Sequence, residues 1–138
     1  MENWRTKANN IFPEYTNSLN RNLGGPSALW DDLYLALEKA YEARPINEDL
    51  ISRIYDYAGW CFSQSHTGNL ETDLPNAAAV GFIENLPLNK NVSDDLYRWL
   101  SKDTFQGCET LFRHHLSDEE YYQFRENYTQ EIRDYPGP

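Results

Sequence analysis

The sequence has little cysteine, little valine and few basic residues. Two cysteines, Cys61 and Cys108, are too few for the disulfide framework of a small secreted domain, and they favour a reducing compartment. Two valines against 15 leucines, with no segment that alternates apolar and polar residues, leave little from which to build a β-sheet. The 138 residues carry only 12 basic against 22 acidic side chains, a net charge of −10. Because a field of that sign repels phosphate backbones and anionic lipids, we expect neither a nucleic-acid nor a membrane partner.

A long apolar run is also lacking. The longest apolar stretch, Ala77 to Ile83, is too short to span a bilayer. The first residues, Met1 to Arg5, lack the basic stretch and apolar run of a signal peptide. We therefore expect a cytoplasmic protein.

Hydrophobic residues make up 40% of the chain and aromatic residues 14%, which indicates a folded core rich in rings. The length fits a single compact helical domain over residues 1–138, with residues 136–138 as a flexible tail. Prolines and glycines divide the rest into helix-length pieces. We predict an all-α fold of six or seven short antiparallel helices, arranged as an irregular bundle or as stacked helical hairpins.

Four helices are expected in the first part of the chain. The second begins at Pro26 in its first turn, where the missing N–H costs nothing, and the third begins after an Asn47 cap. The third helix is apolar on two sides, which predicts a central position. Thr72 or Asp73 caps the fourth helix, whose small residues would let a neighbouring backbone approach closely. The apolar positions of these helices are Trp4, Ala8, Ile11, Tyr15, Leu19, Leu29, Leu33, Leu37, Tyr41, Leu50, Ile51, Ile54, Ala58, Cys61, Phe62, Val80, Phe82, Ile83 and Leu86.

Three more helices are expected after residue 90. Ser93 is the predicted cap of the first of them, with Asp94 and Asp95 in its first turn. Asp103 with Gln106 resembles a capping box for the next. The last begins with the capping box of Ser117 and Glu120, and its inward positions are Tyr121, Phe124, Tyr128 and Ile132.

The candidates for metal binding are two pairs of cysteine and histidine. Cys61 with His66, and Cys108 with His114 or His115, could supply the four ligands of a structural zinc site. Both cysteines fall on apolar helix faces, however, where cysteine behaves as a small hydrophobic residue. We therefore expect no metal and no cofactor.

Little in the sequence indicates catalysis. The charges near Cys108 are mixed and do not mark a reactive thiolate, and the paired carboxylates lie where acids favour a helix dipole. The phosphate-binding, dinucleotide-binding, zinc-protease, EF-hand and nucleophile-elbow motifs are all missing. We therefore expect no enzyme, so that no catalytic residue is assigned.

Two surface patches could bind a protein partner. From residue 70 onward there are 13 acidic against 6 basic residues. On the outer face of the last helix, Tyr122 lies between Glu119 and Glu126. A partner could bury the tyrosine ring, and the two carboxylates could attract a basic partner. The second patch consists of Asp94, Asp95 and Tyr97, together with the acidic turn Glu71 to Asp73. The plainer alternative is that both are ordinary solvated faces.

Three stretches, Ser27 to Leu33, Ile51 to Cys61 and Ala79 to Pro87, resemble an uncharacterised family of short, acidic, all-helical bacterial proteins. Such proteins resemble the immunity proteins that accompany antibacterial toxins. The resemblance implies a helical, non-enzymatic binding domain that neutralises a basic cognate toxin through an acidic surface, and it implies no catalytic residues. A helical adaptor that holds a peptide or helix in an apolar groove is the alternative, and an enzyme of unrecognised type is the third possibility.

Overall fold

A computed structural model describes residues 3–15, 25–69 and 71–137 of the chain. Over these ranges the regular structure consists of α-helices and short 3-10 segments without a strand, so the predicted all-α class is confirmed. The chain forms two compact units, one that ends at Phe82 and one that begins at Ile83. Leu19, a predicted apolar position, lies outside the described residues, and so does Pro138, the end of the predicted tail.

Across the described ranges, every helix is too short or too polar to cross a membrane.

The first unit is built from longer helices, and their starting points follow the sequence. Pro26 lies in the first turn of its helix, as predicted. The side-chain oxygen of Asn47 accepts a hydrogen bond from the Leu50 N–H at 3.2 Å, and that of Asp73 accepts one from the Asn76 N–H at 3.1 Å. The described helices of this unit are α1 (Trp4–Ile11), a 3-10 segment (Pro13–Tyr15), α2 (Gly25–Glu42), α3 (Glu48–Phe62) and α4 (Leu74–Gly81).

Helix α3 is central in the first unit, because it packs against α1, α2 and α4. Its Tyr57 belongs to an aromatic cluster in which every ring is at most 1% exposed. In that cluster Trp30 stacks on Phe82 at 4.9 Å between ring centroids and lies 5.5 Å from Tyr57. Tyr57 also contacts Phe12 and, outside this cluster, the half-buried Trp60, each at 5.8 Å. The central position predicted for this helix is confirmed.

Helix α4 approaches α2 closely at Gly81. A Cβ atom added to Gly81 would lie 2.6 Å from the Cβ atom of Trp30, so that only glycine fits at this distance. Two predicted inward positions are wrong: Phe62 is 41% and Val80 is 50% exposed. Both residues lie near the ends of their helices, Phe62 as the last residue of α3 and Val80 as the last but one of α4.

Apart from its long last helix, the second unit is built from short helices, and two predicted caps are wrong. Asn89, not Ser93, caps the first helix, because its side-chain oxygen accepts from the Val92 N–H at 3.1 Å. Ser101, not Asp103, caps the next helix. The described elements are a 3-10 segment (Ile83–Leu88), α5 (Lys90–Asp94), a 3-10 segment (Leu96–Arg98), α6 (Lys102–Gly107), α7 (Glu109–Arg113) and α8 (Asp118–Asp134).

Helix α8 begins with the predicted capping box. The Ser117 hydroxyl accepts from the Glu120 N–H at 3.1 Å, and the Glu120 carboxylate accepts from the Ser117 N–H at 2.9 Å. Farther along, Tyr128 stacks on Phe105 with ring centroids 3.8 Å apart, and Phe124 lies 5.4 Å from the same ring. Because this face of α8 is buried, the opposite face points outward.

Candidate functional site

The outward face of α8 carries three side chains that the sequence marked for partner binding: Glu119, Tyr122 and Glu126, called here the α8 face. Their spacings of three and four residues place them on one side of the helix. Tyr122 is 55% exposed, although it is one of the larger apolar rings in the unit. Glu119 is exposed and Glu126 is half-buried. The α8 face therefore presents an aromatic ring with a carboxylate on each side.

An arginine side chain lies near the Tyr122 ring. The guanidinium carbon of Arg125 lies 5.5 Å from the Tyr122 centroid and 5.9 Å from the centroid of buried Tyr121. Helix α8 as a whole carries six acidic and two basic residues, so that the face remains negative despite this arginine. The exposed ring thus has a cation beside it on the same helix.

The second predicted patch is paired within its own segment. Asp94 accepts a hydrogen bond from Lys90 Nζ at 2.9 Å, and Asp95 accepts one from Trp99 Nε1 at 3.0 Å. The sequence predicted that both residues lie in the first turn of a helix, and this is wrong. Helix α5 starts at Lys90, so that Asp94 is its last residue and Asp95 follows it. Tyr97 packs edge-on against Tyr135 with centroids 5.1 Å apart.

The second patch borders a cleft beside α8. A polar cleft of about 400 Å³ separates α8 from the segment that carries Asp94 and Tyr97. On the α8 side the cleft is lined by Asn127, Tyr128, Gln130 and Glu131. None of the three side chains of the α8 face lines this cleft.

A smaller, more apolar cleft lies on α2 in the first unit. Its volume is about 280 Å³. The lining residues are Tyr15, Leu29, Asp32, Leu33, Leu35, Ala36 and Lys39. Ligand pockets usually begin at roughly 300 Å³, so this cleft could take one or two side chains of a peptide rather than a whole small molecule.

A third group, which the sequence did not predict, consists of Glu84, His114 and His115. Glu84 lies in the 3-10 segment and is only 7% exposed. Its Oε1 atom lies 3.7 Å from His114 Nε2 and 3.5 Å from His115 Nε2. The two imidazole rings meet edge-on with centroids 4.7 Å apart. Two imidazoles therefore converge on one buried carboxylate.

The cysteines and the remaining histidine do not join this group. Cys61 is fully buried, and burial raises the pKa of its thiol to about 12. Burial also raises the pKa of the half-buried Cys108. His66 is engaged elsewhere, with Nδ1 3.0 Å from Asp73 Oδ1. Neither thiol has the lowered pKa of a nucleophile. Among the described residues, the side chains that come together as possible metal ligands are Glu84, His114 and His115, and not the two cysteine–histidine pairs considered from the sequence.

Comparison of the chain with models of protein families, with curated proteins and with solved structures gave no match. The resemblance to immunity proteins therefore stays a prediction, and function has to be argued from the geometry of the chain itself.

Proposed function

We propose that this chain is a non-enzymatic cytoplasmic binding domain, a bacterial immunity protein that neutralises a basic cognate toxin through the α8 face. The observation that carries the proposal is the Tyr122 ring, 55% exposed on a helix with six acidic and two basic residues. Tyrosine is enriched among the residues that dominate binding energy, because its ring buries much area at a small cost in entropy.

The charges would act mainly on the rate of association. A toxin that cleaves nucleic acid must itself present a basic surface, since its substrate is a polyanion. The net charge of −10 attracts such a protein over a distance of about one Debye length, and Glu119 and Glu126 set the register at contact. The ring would then supply affinity, while the carboxylates supply speed and specificity.

The acids of the second patch have a lesser part in this proposal. Lys90 neutralises Asp94 locally, and Trp99 with Arg98 holds Asp95, which lies 3.4 Å from the Arg98 guanidinium. Removing either carboxylate would disturb the segment as well as any partner contact. The α8 face can be altered without that complication, since its three members lie outside the buried core of the unit.

The proposal is tested with the protein encoded by the gene immediately upstream of this one. Expressed alone in a bacterial host, that protein is expected to stop growth, and co-expression of this chain is expected to restore it. Tyr122→Ala combined with Glu126→Lys is then expected to weaken binding more than tenfold by calorimetry, which corresponds to about 1.4 kcal/mol or more.

A matched control comes from α2. Leu35 is 55% exposed, like Tyr122, and Glu42 is exposed seven residues later on the same helix. The double variant Leu35→Ala with Glu42→Lys therefore changes exposed apolar area and charge in the same way and is expected to bind normally. Unchanged affinity of the α8 variant would remove α8 from the interface.

The control variant also addresses the alternative function, a helical adaptor that binds a peptide in the apolar cleft of α2. Leu35 lines that cleft, whose volume of about 280 Å³ lies just below the usual range for ligand pockets. If the α2 variant lost binding and the α8 variant kept it, the result would favour a helical adaptor over an immunity protein. A measurable activity that disappears when a histidine is replaced would instead favour an enzyme.

A further inference from the structure

We propose that Glu84, His114 and His115 form a binding site for a divalent transition-metal ion, with Zn²⁺ as the expected occupant. The site does not depend on the α8 face and would exist whether or not the chain is an immunity protein. It differs from the zinc site considered from the sequence, because it uses no cysteine.

The distances suit shared coordination better than direct hydrogen bonds. Both His114 Nε2 and His115 Nε2 lie farther from Glu84 Oε1, at 3.7 and 3.5 Å, than the roughly 3.2 Å limit of a good N–H···O bond. Two ligands of a tetrahedral zinc ion with bonds of about 2.0–2.1 Å are about 3.3 Å apart. The observed separations exceed that edge by only a few tenths of an ångström, and all three donor atoms lie within 4.8 Å of one another.

Burial gives the carboxylate a reason to bind a cation. Glu84 is 7% exposed, and a buried carboxylate is costly unless a positive charge or several hydrogen bonds compensate it. The groups that face it at ion-pair distance in the described residues are two imidazoles, which are uncharged unless protonated. A metal dication between the three groups would place a positive charge beside the carboxylate and use the ring nitrogens as ligands.

The two elements that carry the ligands form a firm support. The 3-10 segment Ile83–Leu88 packs against α7, and each contributes a fully buried side chain, Leu86 and Phe112. His114 and His115 follow α7 directly and remain 62% and 41% exposed at their side chains. One ligand is therefore fixed while two can rotate by the small amount that coordination requires.

The ligand types decide which ions are expected. Two imidazole nitrogens with one carboxylate oxygen suit Zn²⁺ and neighbouring transition metals, whereas Mg²⁺ and Ca²⁺ require oxygen ligands. Because the chain supplies three ligands and the histidines are exposed, the fourth position would be filled by water, as in open rather than closed zinc sites.

The test is calorimetric titration of the full chain, freed of metal with a chelator, with ZnCl₂ at neutral pH. One saturable Zn²⁺ ion per chain is expected, and MgCl₂ is expected to give no saturable signal. His114→Ala and His115→Ala should each weaken Zn²⁺ binding at least tenfold. His66→Ala is the matched control: its histidine pairs with Asp73 in the first unit, and Zn²⁺ binding should not change.

Two further measurements separate the possible outcomes. Co²⁺ in place of Zn²⁺ should give the intense visible absorption of a four-coordinate ion, and Glu84→Gln should weaken that absorption while circular dichroism stays helical. Cys108→Ser should bind Zn²⁺ as the unmodified chain does. The proposal is overturned if no saturable Zn²⁺ binding is seen, or if the loss follows His66 or Cys108 instead of His114 and His115.

Discussion

Replacing Gly81 by alanine tests the close approach of α4 to α2. The new Cβ atom would lie 2.6 Å from the Cβ atom of Trp30, whereas ordinary contacts begin at 3.4 Å, so the helices must separate locally by about 0.8 Å. The Trp30 Cβ atom cannot move aside, because it is bonded to the backbone and the side chain is only 1% exposed.

The size of the effect follows from two opposing contributions. Overpacking of a tight core contact costs about 1–3 kcal/mol, while alanine stabilises a helix over glycine by about 0.5–1 kcal/mol. Gly81→Ala is therefore expected to lower the free energy of unfolding by about 1–2 kcal/mol. Gly59→Ala, on α3, is the control: no atom lies within 4 Å of its added Cβ, so it should raise the free energy of unfolding by about 0.5–1 kcal/mol.

Urea unfolding followed by tryptophan fluorescence measures both variants on one scale. The midpoints should move in opposite directions with unchanged slope, which would show that stability and not compactness has changed. If Gly81→Ala were stabilised as much as Gly59→Ala, the close packing of α4 on Trp30 would be refuted.

Three further predictions concern local chemistry. Ser117→Ala should lower the free energy of unfolding by about 1 kcal/mol in urea titrations, because it removes the side chain that caps α8. Hydrogen bonds from the Ser117 backbone N–H and hydroxyl hold the pKa of Glu120 below its ordinary value of 4.5. Glu120→Ala should therefore lower the free energy of unfolding by its full amount above pH 4.5. The difference from the unmodified chain should shrink as the pH falls through the pKa of Glu120 in the folded state. An equal difference at pH 7 and pH 3 would contradict that assignment. Iodoacetamide should label the native chain at Cys108 and not at fully buried Cys61, with both labelled after denaturation; mass spectrometry of digested protein decides.

The caps that the sequence predicted correctly depend on a few neighbouring residues. Asn47 and Ser117 are each followed by acidic residues in the first turn of a helix, and Ser117 has a glutamate three positions later, so local hydrogen bonding decides both. The prediction at Ser93 is wrong because Asn89, four residues earlier, is an equally good cap and follows the break at Pro87. Two cap candidates one helical turn apart cannot be ranked by local propensity alone.

The group around Glu84 could not be predicted by the same reasoning. Its carboxylate and the two histidines are about thirty residues apart, and they meet because the 3-10 segment packs on α7. The local signal was ambiguous, since Glu84 directly follows the apolar stretch Ala77 to Ile83 and precedes Asn85, so that the sequence left open whether its carboxylate points to the surface or to the interior. What it would meet there depends on tertiary packing, which hydrophobic periodicity does not report.

Exposure of Tyr122 was predictable because helical spacing alone separates it from the buried Tyr121, Phe124 and Tyr128. The pairing of Asp94 with Lys90 was not, because it depended on where α5 begins. The start of one short helix thus decided whether a carboxylate was available to a partner or engaged within its own segment.

Binding of a basic protein by the acidic α8 face should show in the salt dependence of association. The rate constant for binding the protein encoded upstream is measured by stopped flow as ionic strength rises from about 0.01 to about 0.15 M, which shortens the Debye length from about 30 to about 8 Å. For the unmodified chain we predict at least a tenfold fall in the rate. Glu126→Lys and Glu42→Lys reduce the net charge equally, and the fall is expected to be smaller for Glu126→Lys than for Glu42→Lys, because only the first removes a charge from the α8 face. A rate that does not vary with salt, or a Glu126→Lys variant that behaves like the Glu42→Lys control, would contradict binding through the α8 face.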